Sequence, residues 1–253
     1  MFEHRHSTCP VCNGACSLLE PVDFNKSCEE ARGKFFKPAG IPVFYALCNQ
    51  CGFCFCPEIA AWGLEEFEEK IYNDAYVLVD PDYVDARPRS NAKGLISMFG
   101  ERAYSIAHLD YGGGKGLLAK LLRESQWNSR SYDPFVDRNV RVEQLGKFDL
   151  ITAFEVFEHV PDVQALMSSL RTLLAPNGLV LFSTMVSDGN IQPGQKISWW
   201  YAAPRNGHIS LFSRNSLAIL AKNNGFNFGS FAEGTHVFVG TVPDWAKHLI
   251  QTE

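Results

Sequence analysis

The chain has 253 residues, 46% of them apolar and 20% charged, and 28 acidic against 23 basic side chains leave a net charge of −5. That length holds one large domain, or one domain with a small appendage, and buries roughly 70–75% of its unfolded surface, which excludes disorder over most of the chain. The acidic balance argues against nucleic acid or an anionic membrane surface as partner.

The N-terminal stretch MFEHRHSTCPVC has no apolar run after its basic residues, so no secretory signal is expected. No apolar run approaches the ~18 residues of a membrane span. All eight cysteines fall in the first 56 residues: Cys9, Cys12, Cys16, Cys28, Cys48, Cys51, Cys54 and Cys56. A secreted disulfide scaffold would spread its bridges more widely, so reduced thiols and a cytoplasmic location are expected. Two CxxC pairs stand out, Cys9–Cys12 and Cys48–Cys51, separated by 35 residues. Each CxxC turn aims two sulfurs at one point. Asn13-Gly14 and Gly52 follow the two turns, and these residue types tolerate positive φ there. Together the turns offer the four thiolates of a closed, structural zinc site, with an insertion looped out between them. Buried reduced thiols and a redox CxxC are the alternatives. Cys54 and Cys56 alternate with Phe53 and Phe55 as in a strand and are read as core, and Cys16 and Cys28 as non-ligands. His4 and His6 are read as exposed.

Residues 1–57 therefore form a Cys-rich module, with a β-hairpin over 41–56 around the second turn. Residues 58–104 are a helical connector. Leu64, Phe67 and Ile71 recur at helical spacing opposite Glu65, Glu66, Glu68 and Glu69, a solvated face. Turns follow at Asn73-Asp74 and Pro81-Asp82, then a helix over 92–103. From 105 to the end, strands alternate with helices: a strand over 105–111, a helix over 117–125 and a short strand near 129–132. Next come a buried strand over 148–154, a helix over 161–174, a turn at Asn177-Gly178 and a buried strand over 179–184. Residues 185–208 lack periodicity and are rich in Gly, Pro and aromatics. A helix capped by Ser213 and stopped at Gly225 precedes two closing strands, 226–232 and 236–242. Apolar strands separated by helices imply an α/β, Rossmann-like domain: a mostly parallel sheet with helices on both faces.

The first strand of that domain runs into Asp110-Tyr111-Gly112-Gly113-Gly114-Lys115-Gly116-Leu117. Glycines between a strand and a helix let the backbone turn tightly and approach a ligand at the helix N-terminus. A dinucleotide GxGxxG would need glycine in place of Leu117. A Walker loop would need glycine in place of Leu109 and a hydroxyl in place of Gly116. The loop instead resembles the D-x-G-x-G-x-G signature of class I S-adenosylmethionine-dependent methyltransferases. Residues 148–162, 173–184 and 201–226 resemble further segments of that family, so the likeness covers about 105–242. The Cys-rich head and a connector carrying Tyr72, Tyr76 and Tyr83 resemble some sugar and natural-product methyltransferases of the class.

The resemblance implies that Asp110, Gly112, Gly114 and Gly116 hold the cofactor. It also implies that Asp133, 17 residues after Gly116, grips ribose hydroxyls. Asp133 can equally be a turn former before Pro134, and Asp110 a cap. Glu155 falls at the carboxyl edge of the sheet, where ligands bind, or caps the next helix. His159, His208 and Tyr201 are candidate bases toward a substrate hydroxyl; for His159 the competing role is shaping its loop. Only fourteen residues separate Asp133 from Phe148. A third strand must therefore be very short, over 140–143, or remodelled. The expected activity is methyl transfer to a small-molecule or sugar-like acceptor. An inactive zinc-ribbon scaffold and a dinucleotide-dependent oxidoreductase are the alternatives.

Overall fold

The computed structural model of the chain describes residues 8–249; His4 and His6 lie outside them. The chain folds as two compact units, each assembled from separated stretches. Of the described residues, 8–81, 157–164 and 184–223 form one, and 82–156, 165–183 and 224–249 the other.

In the first unit the short strands β1 (Cys16–Leu18), β4 (Ala46–Cys48), β5 (Cys54–Phe55) and β10 (Ser210–Leu211) form an antiparallel sheet in that order. A separate pair, β2 (Val22–Asp23) and β3 (Pro42–Val43), aligns Asp23 with Pro42. The Asp23 carboxylate accepts the N–H groups of Asn25, Ala39 and Gly40, which hold it below its ordinary value against the opposing pull of burial. A hairpin forms around the Cys48–Cys51 turn, but over 46–55 and not 41–56, because Pro42 and Val43 pair with β2 instead. Helices α1 (Pro57–Ala60), α2 (Leu64–Lys70) and α3 (Tyr76–Val79) follow. Phe67 and Ile71 are buried, but Leu64 is half exposed, so the apolar stripe of α2 is narrower than its spacing suggests. In the aperiodic 185–208 stretch, 188–196 is mostly exposed, whereas Ile197, Tyr201, Ala202 and Ala203 are in the core. Helix α7 (Arg214–Asn223) starts at Ser213, whose hydroxyl accepts the Ser216 N–H as a cap.

The second unit is built on a six-stranded sheet: β11 (Asn227–Ala232), β12 (Thr235–Val239), β9 (Leu174–Ser183), β8 (Phe148–Phe154), β6 (Ala107–Tyr111) and β7 (Asn128–Tyr132), in that spatial order. The four strands from β9 to β7 are parallel and the closing hairpin is antiparallel. The α/β, mostly parallel architecture is thus present. Leu150, Leu179, Leu181, Val237 and Val239 pack one face against α4 (Ala86–Phe99) and α5 (Leu117–Glu124). The alternate residues Ile151, Val180, Phe182 and Phe238 are buried as well, so both faces are covered. Helix α6 (Val163–Leu173) leads directly into β9. There the register jumps from Phe148↔Leu174 to Leu150↔Leu179, because Asn177-Gly178 bulges out.

Two expectations change. Helix α4 begins at Ala86, six residues before the expected start, because Pro88 fits a first helical turn. It ends at Phe99, after which the chain tightens into a 3-10 segment, Gly100–Ser105. No strand forms over 140–143 among the described residues. Val142–Gln144 is a 3-10 turn and β7 is the sheet edge, because the short link is used up in turns anchored on Asp133.

Candidate functional site

The glycine loop leaves β6 at its carboxyl end and closes on the end of β7. The Gly112 amide donates to the Tyr132 carbonyl at 2.8 Å and the Gly114 amide to Asp133 Oδ2 at 2.9 Å. Gly112, Gly114 and Gly116 all have positive φ, at 74°, 54° and 77°. A Cβ on Gly112 would lie 2.4 Å from Val156 Cγ2, so this turn has no room for a side chain. Gly113 is equally confined: a Cβ there would sit 2.3 Å from Ser131 Oγ and 2.4 Å from Asp110 Oδ2. At Gly114 a Cβ would meet open space. The loop therefore rests on Asp110 and Ser131 and is open beside Gly114, a cradle with no side chains at 112–114.

Asp133 anchors the other wall. Its Oδ1 accepts the amides of Phe135 and Val136, and its own N–H donates to Asp137 Oδ2. The turn-forming and loop-binding roles thus coexist in one carboxylate. Ser131 Oγ is buried beside the loop without a hydrogen-bond partner in the protein. Glu155 also has positive φ, 55°, which is unusual for a residue with a long side chain. Its amide donates to Ser183 Oγ, and that hydroxyl donates back to Glu155 Oε1, fixing the carboxylate at the end of β8.

Asp110 is buried, and burial pushes its carboxyl up to about 7, opposed by the Thr152 hydroxyl bond and assisted by the nearby Asp133 charge. His108, on the same face of β6, is driven by burial down to about 3. The two have opposite consequences for stability. Asp110 contributes stability that is full below about 4 and lost as pH rises to about 7. His108 contributes stability present above about 6.5 and lost as pH falls toward 3. Without ligand, Asp110→Asn should therefore steepen the loss of melting temperature between pH 6.5 and 4. Melting curves with the same acid slope in the variant and the parent would remove Asp110 as a buried titrating group.

The first unit gathers the other candidates. Tyr201 Oη donates to buried Glu158 Oε1 at 2.5 Å. His208 Nδ1 lies 2.8 Å from the Tyr201 carbonyl, and its ring centroid is 4.8 Å from that of His159. A carbonyl only accepts, so Nδ1 carries the proton and the lone pair of neutral His208 is on Nε2. His159 Nδ1 is 3.2 Å from Tyr72 Oη. Gly207, with φ 85°, brings the backbone against both partners: a Cβ there would lie 2.9 Å from Tyr72 Oη and 3.2 Å from His159 Nδ1. His159, His208 and Tyr201 are thus assembled with Glu158 and Tyr72, which the sequence offered only as part of a loop motif and a Tyr-rich connector.

The four cysteines of the two CxxC turns also converge. Cys9 and Cys51 sulfurs are 3.6 Å apart, Cys12 and Cys48 sulfurs 3.4 Å, and all four lie within 4.8 Å of one another. These separations match the roughly 3.8 Å edge of a tetrahedron with Zn–S bonds of about 2.3 Å. Asn13 and Gly52 take positive φ after the turns, and backbone amides at Val11, Gln50 and Cys51 point at Cys9 and Cys48 sulfurs. Cys54 and Cys56 are fully buried and outside the cluster.

A glycine turn between strand and helix, bonded to an acidic residue at the end of the next strand, is the arrangement of a Rossmann-like α/β domain. A family model described as a methyltransferase domain matches residues 83–229, more than half of the chain, and the chain belongs to this family. It is similar to the ubiquinone biosynthesis O-methyltransferase of Colwellia psychrerythraea, 32% identical over 81 residues, covering 32% of this chain and 33% of that protein. The corresponding enzyme of Acinetobacter baylyi is 29% identical over 92 residues, covering 36% of this chain and 39% of that protein. These matches span only about a third of the length of the relatives. Among solved structures, an O-methyltransferase family protein from Burkholderia thailandensis shares the fold. Its TM-score is 0.50 at 15% identity, covering 74% of this chain and 67% of that one. No helix of the described residues is long and apolar enough to cross a membrane.

Proposed function

We propose that the chain transfers a methyl group from S-adenosylmethionine to a small-molecule or sugar-like acceptor, in the cytoplasm. The observation that carries this is the Gly114 amide bonded to Asp133, which joins the bare glycine turn and the acidic strand end in one wall. The cradle fits a nucleoside: main chain without side chains at 112–114, and a buried hydroxyl on Ser131 without a protein partner. Asp110, Gly112, Gly114, Gly116 and Glu155 would line the cofactor, with Asp133 accepting from ribose hydroxyls. When bound, S-adenosylmethionine supplies an activated methyl on its sulfonium, ready for in-line displacement.

The chain's own contribution is alignment, exclusion of water and, for an oxygen acceptor, a place for the proton. His208, its proton held on Nδ1 by the Tyr201 carbonyl, would receive it on Nε2, with His159 as the alternative and Tyr201 holding Glu158 beside them. Cys9, Cys12, Cys48 and Cys51 would bind one structural zinc, since four thiolates leave no open position for chemistry.

The test is incubation with methyl-labelled S-adenosylmethionine and a panel of phenols, amines and sugar nucleotides, read by mass. A labelled small product supports the assignment; donor binding without label in any class of acceptor contradicts it. With a hydroxyl acceptor, His208→Gln should slow turnover roughly 100-fold at unchanged donor affinity. Full turnover in both His208→Gln and His159→Gln would remove these residues from proton transfer.

A further inference from the structure

A buried polar stripe crosses the three strands beneath the glycine loop. Ser129 on β7, His108 on β6 and Thr152 on β8 are each within 3% of complete burial. His108 Nδ1 is 2.7 Å from Ser129 Oγ, and His108 Nε2 is 3.0 Å from Thr152 Oγ1. Thr152 Oγ1 donates to Asp110 Oδ1 at 3.1 Å. A hydroxyl has a single hydrogen, so toward His108 the Thr152 oxygen accepts, and Nε2 carries the imidazole proton. Nδ1 then accepts, and Ser129 donates. The chain of donors runs one way: Ser129 to His108, His108 to Thr152, Thr152 to Asp110. Trp127 packs edge-on against the imidazole, with ring centroids 5.6 Å apart, and holds its plane.

A histidine in the apolar run Ile106-Ala107-His108-Leu109 needs a reason. Its burial is costly unless both ring nitrogens are bonded, and here both are. What the relay delivers is a polarised hydroxyl aimed at one oxygen of Asp110, while the other oxygen lies under Gly113. We infer that His108 and Thr152 are positioning residues: through them the Asp110 carboxyl is oriented beneath the loop, where its charged form favours a cationic sulfonium nucleoside over its neutral thioether product. This rests on the S-adenosylmethionine reading of the same loop. The charged group bearing on Asp110 is Asp133, across the loop, which opposes ionisation; neutral His108 adds no charge.

The experiment measures affinity for S-adenosylmethionine and for S-adenosylhomocysteine from pH 5.5 to 8.5 in the full chain and three variants. In the parent, affinity for the cationic donor should rise through about pH 7, where Asp110 ionises, more than affinity for the thioether. Thr152→Val keeps shape but removes the hydroxyl. It should move that rise up by about one pH unit and weaken donor binding at neutral pH roughly tenfold. His108→Leu should shift it in the same direction by less. His108→Gln, which keeps a donor and an acceptor on adjacent atoms, should restore most of what His108→Leu loses. A lowered melting temperature in Thr152→Val and His108→Leu with the pH midpoint unmoved would overturn the inference, leaving the stripe as core only. Absence of donor binding in the parent would instead overturn the reading of the loop itself.

Discussion

Gly114→Val should abolish donor binding, weakening it at least roughly 100-fold, while the melting temperature falls by only a few degrees. Gly114 has φ 54°, and a Cβ there meets no protein atom within 4 Å. A branched side chain must accept a left-handed backbone, at about 1–2 kcal/mol, and then stands in the space over the loop. In a protein of this size that strain lowers the melting temperature by about 2–4 °C per kcal/mol. Filling the cradle costs binding far more, since every 1.4 kcal/mol or so is tenfold in affinity. Gly112 and Gly113 make poorer probes, because side chains there strike Val156, Ser131 and Asp110 and disturb the fold as well. Gly94, in the interior of α4 with open space around it, is the contrast. Gly94→Ala should leave binding alone and stabilise the chain by about 0.5–1 kcal/mol. Undiminished affinity in Gly114→Val, read by titration beside a melting curve, would mean that the nucleoside does not lie on this turn.

Cys48→Ser should strip the metal and unfold much of the first unit. Elemental analysis should find about one zinc per parent chain and a small fraction of that in Cys48→Ser. The effect is large because binding and folding are one process in such sites, with apparent binding free energies of about 10–16 kcal/mol. Here the second turn is also tied to the rest of its unit. Ser213 Oγ donates to the Cys51 carbonyl, Asn215 to the Gln50 carbonyl, and β5 pairs with β10. Cys28, outside the cluster, should be replaceable by alanine with zinc retained. A folded, metal-free parent would refute the site, as would equal zinc in Cys48→Ser.

The parts legible in the sequence are those fixed by local chemistry. FDLITAF reads as a strand because it is buried on both faces, and it forms β8 over the same residues, Phe148–Phe154. The CxxC turns are legible because their conformation needs small or turn-forming residues just after them, and Asn13 and Gly52 supply these. The glycine turn is legible for the same reason. What is not legible depends on distant partners. Nothing in Ser210-Leu211 announces that it pairs with Cys54-Phe55, so no strand is expected between the 185–208 loop and the helix capped by Ser213, although this one completes the sheet of the Cys-rich unit. The link from 134 to 147 shows that a third strand is short of residues, but not that it is replaced by turns. His108 is visible as an oddity in an apolar strand. Its role becomes visible only when strand register sets Ser129 on one side of it and Thr152 on the other. Ser131 gives no signal at all, since a serine in an edge strand is ordinary until the turn settles over it.

The most direct measurement is a calorimetric titration of the full chain with S-adenosylhomocysteine, in parallel with Asp133→Ala. A single site per chain in the parent, lost or greatly weakened in Asp133→Ala, is the expected result. Silence in the parent, or equal binding by both proteins, would contradict the joining of glycine turn and acidic strand end into one nucleoside site.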